Sequence, residues 1–337
     1  MPLRIGTRRS ALATAQSQRV ADALAAASGR PVELVPIVSE GDVTRASLAS
    51  LGGTGVFATR LREALRAGEC DLLVHSLKDL PTAQPGDLVI AAIPPREDPG
   101  DVALTRDGTP LHELAAGATV GTGSPRRIAQ VLRRNPHVDV RDLRGNVDSR
   151  LRRVTGGELD AVILAAAGLA RLASRPGGLP GGDLVHQERL GLAEWPTAPG
   201  QGALAVETTD GAVPELMAAL AALDDRATRI AVTAERTVLA ALEAGCSAPV
   251  GAHAEVTDAE LRLRAVVYSR DGAACVAQDA TFAIAASQSQ GTEYIRSHGS
   301  GDDADAADDD DPIARAVQAG LDVSHRLLER GAAELTP

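Results

Sequence analysis

Over its first two thirds the chain alternates short apolar runs with longer segments of helical period, and few folds accommodate that pattern. Leu3–Gly6, Val32–Val38 and Asp71–His75 read as strands around helical patterns at Ser10–Ala27 and Val56–Ala67. Such alternation predicts a parallel sheet flanked by helices. The turn-rich stretch Ile93-Pro94-Pro95-Arg96-Glu97-Asp98-Pro99-Gly100 interrupts it, and a second series follows. That series has strands at Val102–Leu104, Thr119–Gly121, Val138–Val140 and Ala161–Leu164, with helices at Pro125–Arg134 and Val147–Val154. A length of 337 residues exceeds what one core usually organises, so two α/β domains are expected.

Loops at Arg175–Asp183 and Pro196–Gly202 precede a further strand at Ala203–Glu207, and a helical stretch then runs to Glu243. Beyond it the character changes. Pro249–Val256, Leu261–Tyr268 and Ala274–Phe282 alternate as strands of an antiparallel sheet do, which predicts a small α+β third domain. Residues 286–311, rich in Ser, Gln, Gly and Asp, read as a disordered insertion ahead of a last amphipathic helix, Pro312–Arg330.

Charge and composition exclude several classes of function. Of the formal net charge of −11, seven negative charges sit in the segment 301–311, so the remainder is nearly balanced. Only five aromatic residues occur, too few for base-stacking platforms, and no basic domain stands out for duplex binding. The arginines instead concentrate at 4–9, 126–153 and 171–175, a pattern suited to a small polyanion. Three cysteines at unrelated spacings suggest neither a disulfide framework nor a metal site. No export-type apolar region or membrane-length run is present, so a cytoplasmic protein without membrane association is expected.

Against that background Lys78 stands out, the one lysine among 34 basic residues, in Val74-His75-Ser76-Leu77-Lys78-Asp79-Leu80-Pro81. An ammonium is a compact point charge where guanidinium is a planar fork, so its survival here marks a place that needs the smaller cation. Three strand-to-helix junctions carry arginine: Gly6-Thr7-Arg8-Arg9-Ser10, Gly121-Thr122-Gly123-Ser124-Pro125-Arg126-Arg127 and Leu143-Arg144-Gly145-Asn146-Val147-Asp148-Ser149-Arg150. Ser10, Ser124 and Asn146 are the expected N-caps. Free backbone N–H groups at a helix start beside a guanidinium form an anion site, and α/β sheets place ligands at the carboxyl ends of their strands. Cys246, in Gly245-Cys246-Ser247-Ala248-Pro249, falls on a loop past a helix end, with no histidine close in sequence to act as a base. Covalent attachment suits it better than turnover at the sulfur.

Together these segments, with Pro199-Gly200-Gln201-Gly202-Ala203, resemble the hydroxymethylbilane synthase (porphobilinogen deaminase) family, in family order from residue 4 to residue 251. The resemblance implies two periplasmic-binding-protein-like (type II) α/β domains and a small α+β C-terminal domain with an antiparallel sheet. These would span 1–96 with 200–221, 97–199, and 222–337. It implies a transferase that adds four porphobilinogen molecules head to tail, each with loss of ammonia, to a dipyrromethane cofactor held by a thioether to Cys246. Hydrolysis then releases hydroxymethylbilane, in tetrapyrrole and heme biosynthesis. Asp79, with Lys78, would be catalytic, its carboxylate stabilising the cationic azafulvene left when ammonia departs. Lys78, Ser124, Arg126, Arg127 and Arg144 would bind the cofactor, and Arg8, Ser10, Thr122, Arg150, Arg171 and Gln201 the substrate's acetates and propionates. A monomer without metal or nucleic acid is implied.

The resemblance is incomplete in places. Thr54 and a position near Ser50 stand where many relatives carry lysine, and Gly123 and Pro125 where serine and leucine are frequent. The competing reading is a non-catalytic receptor, two α/β domains clasping an anion, which has no use for Cys246.

Overall fold

The structure, a computed structural model, describes residues 1–38, 55–175, 178–179, 181–243, 248–284 and 311–335. Cys246, Ser50, Thr54 and all but the last residue of the acidic insertion lie outside the described residues. Two five-stranded sheets and one three-stranded sheet organise the rest. The first has the order β2-β1-β3-β10-β4, from β1 (Leu3–Arg8), β2 (Val32–Ile37), β3 (Leu72–Ser76), β4 (Leu88–Ala92) and β10 (Leu204–Thr209). The second has the order β7-β6-β8-β5-β9, from β5 (Asp101–Thr105), β6 (Thr119–Gly121), β7 (Asp139–Arg141), β8 (Ala161–Ala165) and β9 (His186–Leu190).

The sheets that the alternation marks as parallel are mixed, each carrying a reversed strand. In the first sheet β10 runs antiparallel to β3 and β4, and in the second β5 runs antiparallel to β8 and β9. Each reversed strand follows a crossover from the other sheet and so enters from the opposite side. The chain crosses once between Ala92 and Asp101 and again between Leu190 and Leu204.

Helices cover both sheets. On the first lie α1 (Ala11–Ser28), α2 (Gly55–Arg66) and α6 (Pro214–Ala221); with the second go α3 (Pro125–Arg134), α4 (Val147–Thr155) and α5 (Ala166–Ala173). Strand alternation divides the apolar side chains. Leu3, Ile5, Leu72, Val74 and Val206 pack with Val20 and Leu24 of α1, whereas Leu73 and Ile37 pack with Leu61 and Leu65 of α2. The helical stretch expected to run unbroken to Glu243 is two helices. α7 (Arg226–Ala241) starts afresh at Asp225, whose side chain accepts the Thr228 N–H at 2.8 Å.

The third sheet is antiparallel, β11 (Val250–Val256), β12 (Glu260–Tyr268) and β13 (Cys275–Ala283) in that order. One face packs on α7 and α8 (Pro312–Glu329) through Leu261, Leu263, Val238 and Val323. The hairpin after β12 meets α3 so closely that a Cβ on Gly272, at φ 72°, would lie 2.2 Å from the Ala129 carbonyl oxygen. Glycine permits both the backbone conformation and the approach.

Candidate active site

The functional segments issue from the carboxyl ends of parallel strands. β3 ends in a 3-10 turn, Leu77–Asp79, which exposes the Asp79 side chain. α3 starts three residues past the Thr122 that follows β6, and α4 starts after β7. The anchor beneath them is Asp101, fully buried at the start of β5. Its Oδ2 accepts from Arg126 Nη2 (3.0 Å), Arg127 Nε (3.1 Å) and Trp195 Nε1 (3.0 Å), and its Oδ1 from Arg127 Nη2 (2.6 Å) and Gln201 Nε2 (2.8 Å). Burial alone would raise the Asp101 carboxyl, but Arg127 and Arg126 outweigh it and hold the group well below the usual carboxylate range.

Gln201 carries this anchor to the lysine. Its Nε2 is committed to Asp101 and to the Pro99 carbonyl at 2.7 Å, which leaves Oε1 to accept Lys78 Nζ at 3.1 Å. Burial pushes Lys78 down to about 8, and the nearby Arg127 adds to that, with Asp79 and Asp101 opposing. On α4, burial lowers Arg150 to about 10, with Arg127 and Arg144 contributing and Asp79 and Asp142 opposing. Asp79 from the first sheet thus shares one electrostatic neighbourhood with Lys78 beside it and Arg150 from the second. Cations crowded enough to depress one another leave a surplus of positive potential, and a bound polyanion would relieve it.

The remaining expected residues divide. Ser10 does cap α1, accepting Ala13 N–H at 3.2 Å, and Asn146 caps α4, accepting Ser149 N–H at 2.9 Å. Ser124 makes no side-chain cap; its N–H reaches the fully buried Thr122 hydroxyl at 3.3 Å, so Thr122 shapes the turn. Arg144 is exposed beside Asp142 at 3.3 Å, and Arg150 Nε holds the Gly145 carbonyl at 2.8 Å. Arg8 closes β1 at the same end of the first sheet.

Two expectations change. Arg126 and Arg127 are not open forks at a helix start but are buried, with Arg126 also bonded to Gln130 (2.5 Å) and the Pro196 carbonyl (3.2 Å), and Arg127 to the Ile163 carbonyl (3.1 Å). The fully buried Asp101 of β5 draws them inward. Arg171 is buried too, away from the cluster, with Nη2 on the Gly202 carbonyl at 2.5 Å.

Several participants gave no signal in the sequence. Asp101 reads there as the polar residue before an apolar strand. Nothing in the sequence pairs Arg96 with Glu235, yet Glu235 is fully buried and accepts from Arg96 Nη1 (2.7 Å) and Nη2 (3.0 Å), Gly200 N (2.7 Å) and Ala254 N (2.8 Å). It ties both crossovers to the third sheet. Among the described residues no group of three or more His, Cys, Asp or Glu side chains could hold a metal, and no helix is long and apolar enough to cross a membrane.

Comparison with known proteins places the chain among relatives of one family. Residues 3–214 match the family model "Porphobilinogen deaminase, dipyromethane cofactor binding domain", and residues 229–294 match "Porphobilinogen deaminase, C-terminal domain". A porphobilinogen deaminase of Leifsonia xyli is 50% identical over 99% of this chain and 94% of that protein. One of Thermobifida fusca is 47% identical over 99% and 95%, and porphobilinogen deaminase 1 of Streptomyces coelicolor 55% identical over 81% and 86%. Among solved structures, the VFT2 domain of Bordetella pertussis BvgS is 19% identical, with a TM-score of 0.39 over 65% of this chain and 84% of that one. From the two family models and these full-length identities, the chain belongs to the porphobilinogen deaminase family.

Proposed function

We propose that the crevice between the two five-stranded sheets is where this hydroxymethylbilane synthase condenses four porphobilinogen molecules, with Asp79 as its catalytic carboxylate. The observation that carries the reading is the meeting of the exposed carboxylate of Asp79 with the cations Lys78, Arg127, Arg144 and Arg150, where burial, and after it the neighbouring guanidiniums, lower Lys78 and Arg150. That surplus fits a dipyrromethane bearing acetates and propionates. When bound, the dipyrromethane supplies the nucleophilic pyrrole carbon to which the first substrate unit is joined, with Cys246 as its point of attachment.

In each cycle the C–N bond of the substrate's aminomethyl group breaks, ammonia leaves, and the methylene and its ring become cationic. Asp79 faces the pyrrole N–H and stabilises that developing charge. Lys78 and Arg150 neutralise the ring's carboxylates from opposite walls of the crevice. Arg144 adds a guanidinium at its mouth, while Arg8, Ser10 and Ser124 line the strand ends. Arg126 and Arg127 act from beneath. Clamped on Asp101, they fix Gln201 and through it the Lys78 ammonium. Thr122 holds the turn that brings α3 to the crevice, and Arg171 holds the second crossover.

The chain divides on this reading into 1–96 with 200–221, 97–199, and 222–337, and it works as a cytoplasmic monomer. Removal of a preorganised charge at the reacting centre costs about a hundredfold or more in turnover. Asp79→Ala is therefore expected to keep its cofactor, seen by intact mass, and to lower kcat by at least that factor. Near-normal turnover would refute the assignment.

A further inference from the structure

We propose that Arg236 is a positioning residue for the condensation, acting from the third unit on the turn that presents Asp79; this rests on the catalytic reading of Asp79 above. Arg236 lies on α7 and reaches back to the first sheet. Its Nη1 donates to the Leu77 carbonyl (3.1 Å) and the Leu80 carbonyl (3.0 Å), and its Nη2 to the Pro81 carbonyl (2.7 Å). These carbonyls bracket Lys78 and Asp79.

A 3-10 turn this short has poor intrinsic hydrogen-bond geometry and little stiffness of its own. Its internal bond, from Leu80 N to the Leu77 carbonyl, is 3.1 Å long. The apolar floor comes from the same helix. Leu77 and Leu80 are buried against Val232, one helical turn before Arg236 and on the same face of α7. A planar guanidinium that reads three carbonyls fixes the plane of the turn, which an ammonium does not. The neighbouring Glu235 faces the other way, to Arg96 and Gly200 on the crossovers.

The residues after α7 lead to Cys246 in the sequence. Arg236 therefore ties the segment that precedes the primer's attachment point to the turn that holds the catalytic carboxylate. Misplacement of a reacting group by about 1 Å can cost on the order of a hundredfold, so a loosened turn reads out in kcat more than in KM.

The test is a double-mutant cycle on cofactor-loaded protein. Arg236→Gln is expected to lower kcat by about 10- to 100-fold with KM nearly unchanged. In an Asp79→Glu background, where the carboxylate is already displaced, the same change is expected to cost less than about twofold. Arg236→Lys should recover part of the loss, and the Leu80 amide should exchange faster in Arg236→Gln while β12 keeps its protection. Equal losses in both backgrounds, or an unchanged kcat in Arg236→Gln, would overturn the proposal. Should Arg236→Gln fail to load its cofactor, Arg236→Lys takes its place in the cycle with the same two outcomes. An Asp79→Glu variant that turns over normally would instead strike the reading of Asp79 itself.

Discussion

Asp101 shows how much one side chain can organise. A single buried carboxylate bonded to two guanidiniums, an indole and an amide sets the direction of α3's first turn and the orientation of Gln201. Its removal leaves two buried cations facing each other, and breaking a buried pair from one side typically costs about 3–5 kcal/mol. Asp101→Ala is expected to lose stability on that scale in urea or thermal denaturation and to be isolated without cofactor; a stable, loaded variant would contradict the anchoring role. At this scale the sequence discloses what is chemically unusual. Lys78 is visible because the chain carries no other lysine, and the arginine pairs because they adjoin helix starts. Asp101 is not visible, since one aspartate at a strand edge has no period and its partners are brought to it only by folding.

At the level of elements, buried ion pairs decide how helices sit on sheets. Arg62 of α2 bonds Glu207 of β10 through Nη2 (2.7 Å) and Nε (3.0 Å), and His75 of β3 lies 3.3 Å from the same carboxylate. Burial would raise Glu207, but His75 and Arg62 outweigh it and bring it down to about 2. An acid whose folded value lies below its ordinary value stabilises the fold above that ordinary value, near 4.5, and the contribution is lost as pH falls toward 2. Thermal stability should drop across that window, and Glu207→Gln should be less stable at neutral pH with a shallower acid decline. Parallel melting curves of the two proteins from pH 5 to about 2 would contradict this. Elements with one buried face, such as α3 and β13, were legible because that burial imposes the spacing. β9, an edge strand with most residues exposed, leaves no such mark, and the apolar run of β4 is too short to distinguish strand from helix. The reversed direction of β5 and β10 depends on where the crossovers come from, which no local pattern records.

In the whole molecule, the chain passes from the first sheet to the second and back, and the third unit grips the two crossovers. Glu235, Arg96 and Gln201 bind the crossovers to one another, and Gly202, at φ 89°, runs so close to the first crossover that a Cβ would lie 2.4 Å from the Glu97 carbonyl oxygen. The two sheets are thereby joined by a bonded base, with Asp79 following a strand of the first and Arg150 on a helix of the second. Elongation of a covalently tethered oligopyrrole between the two sheets is read out by intact-mass spectrometry of the purified chain. Expected are a mass above that of the sequence by one dipyrromethane, successive pyrrole increments on limited addition of porphobilinogen, and the bare sequence mass for Cys246→Ser. A native protein found at its bare sequence mass, gaining no increment with substrate, would contradict it and favour a passive anion receptor.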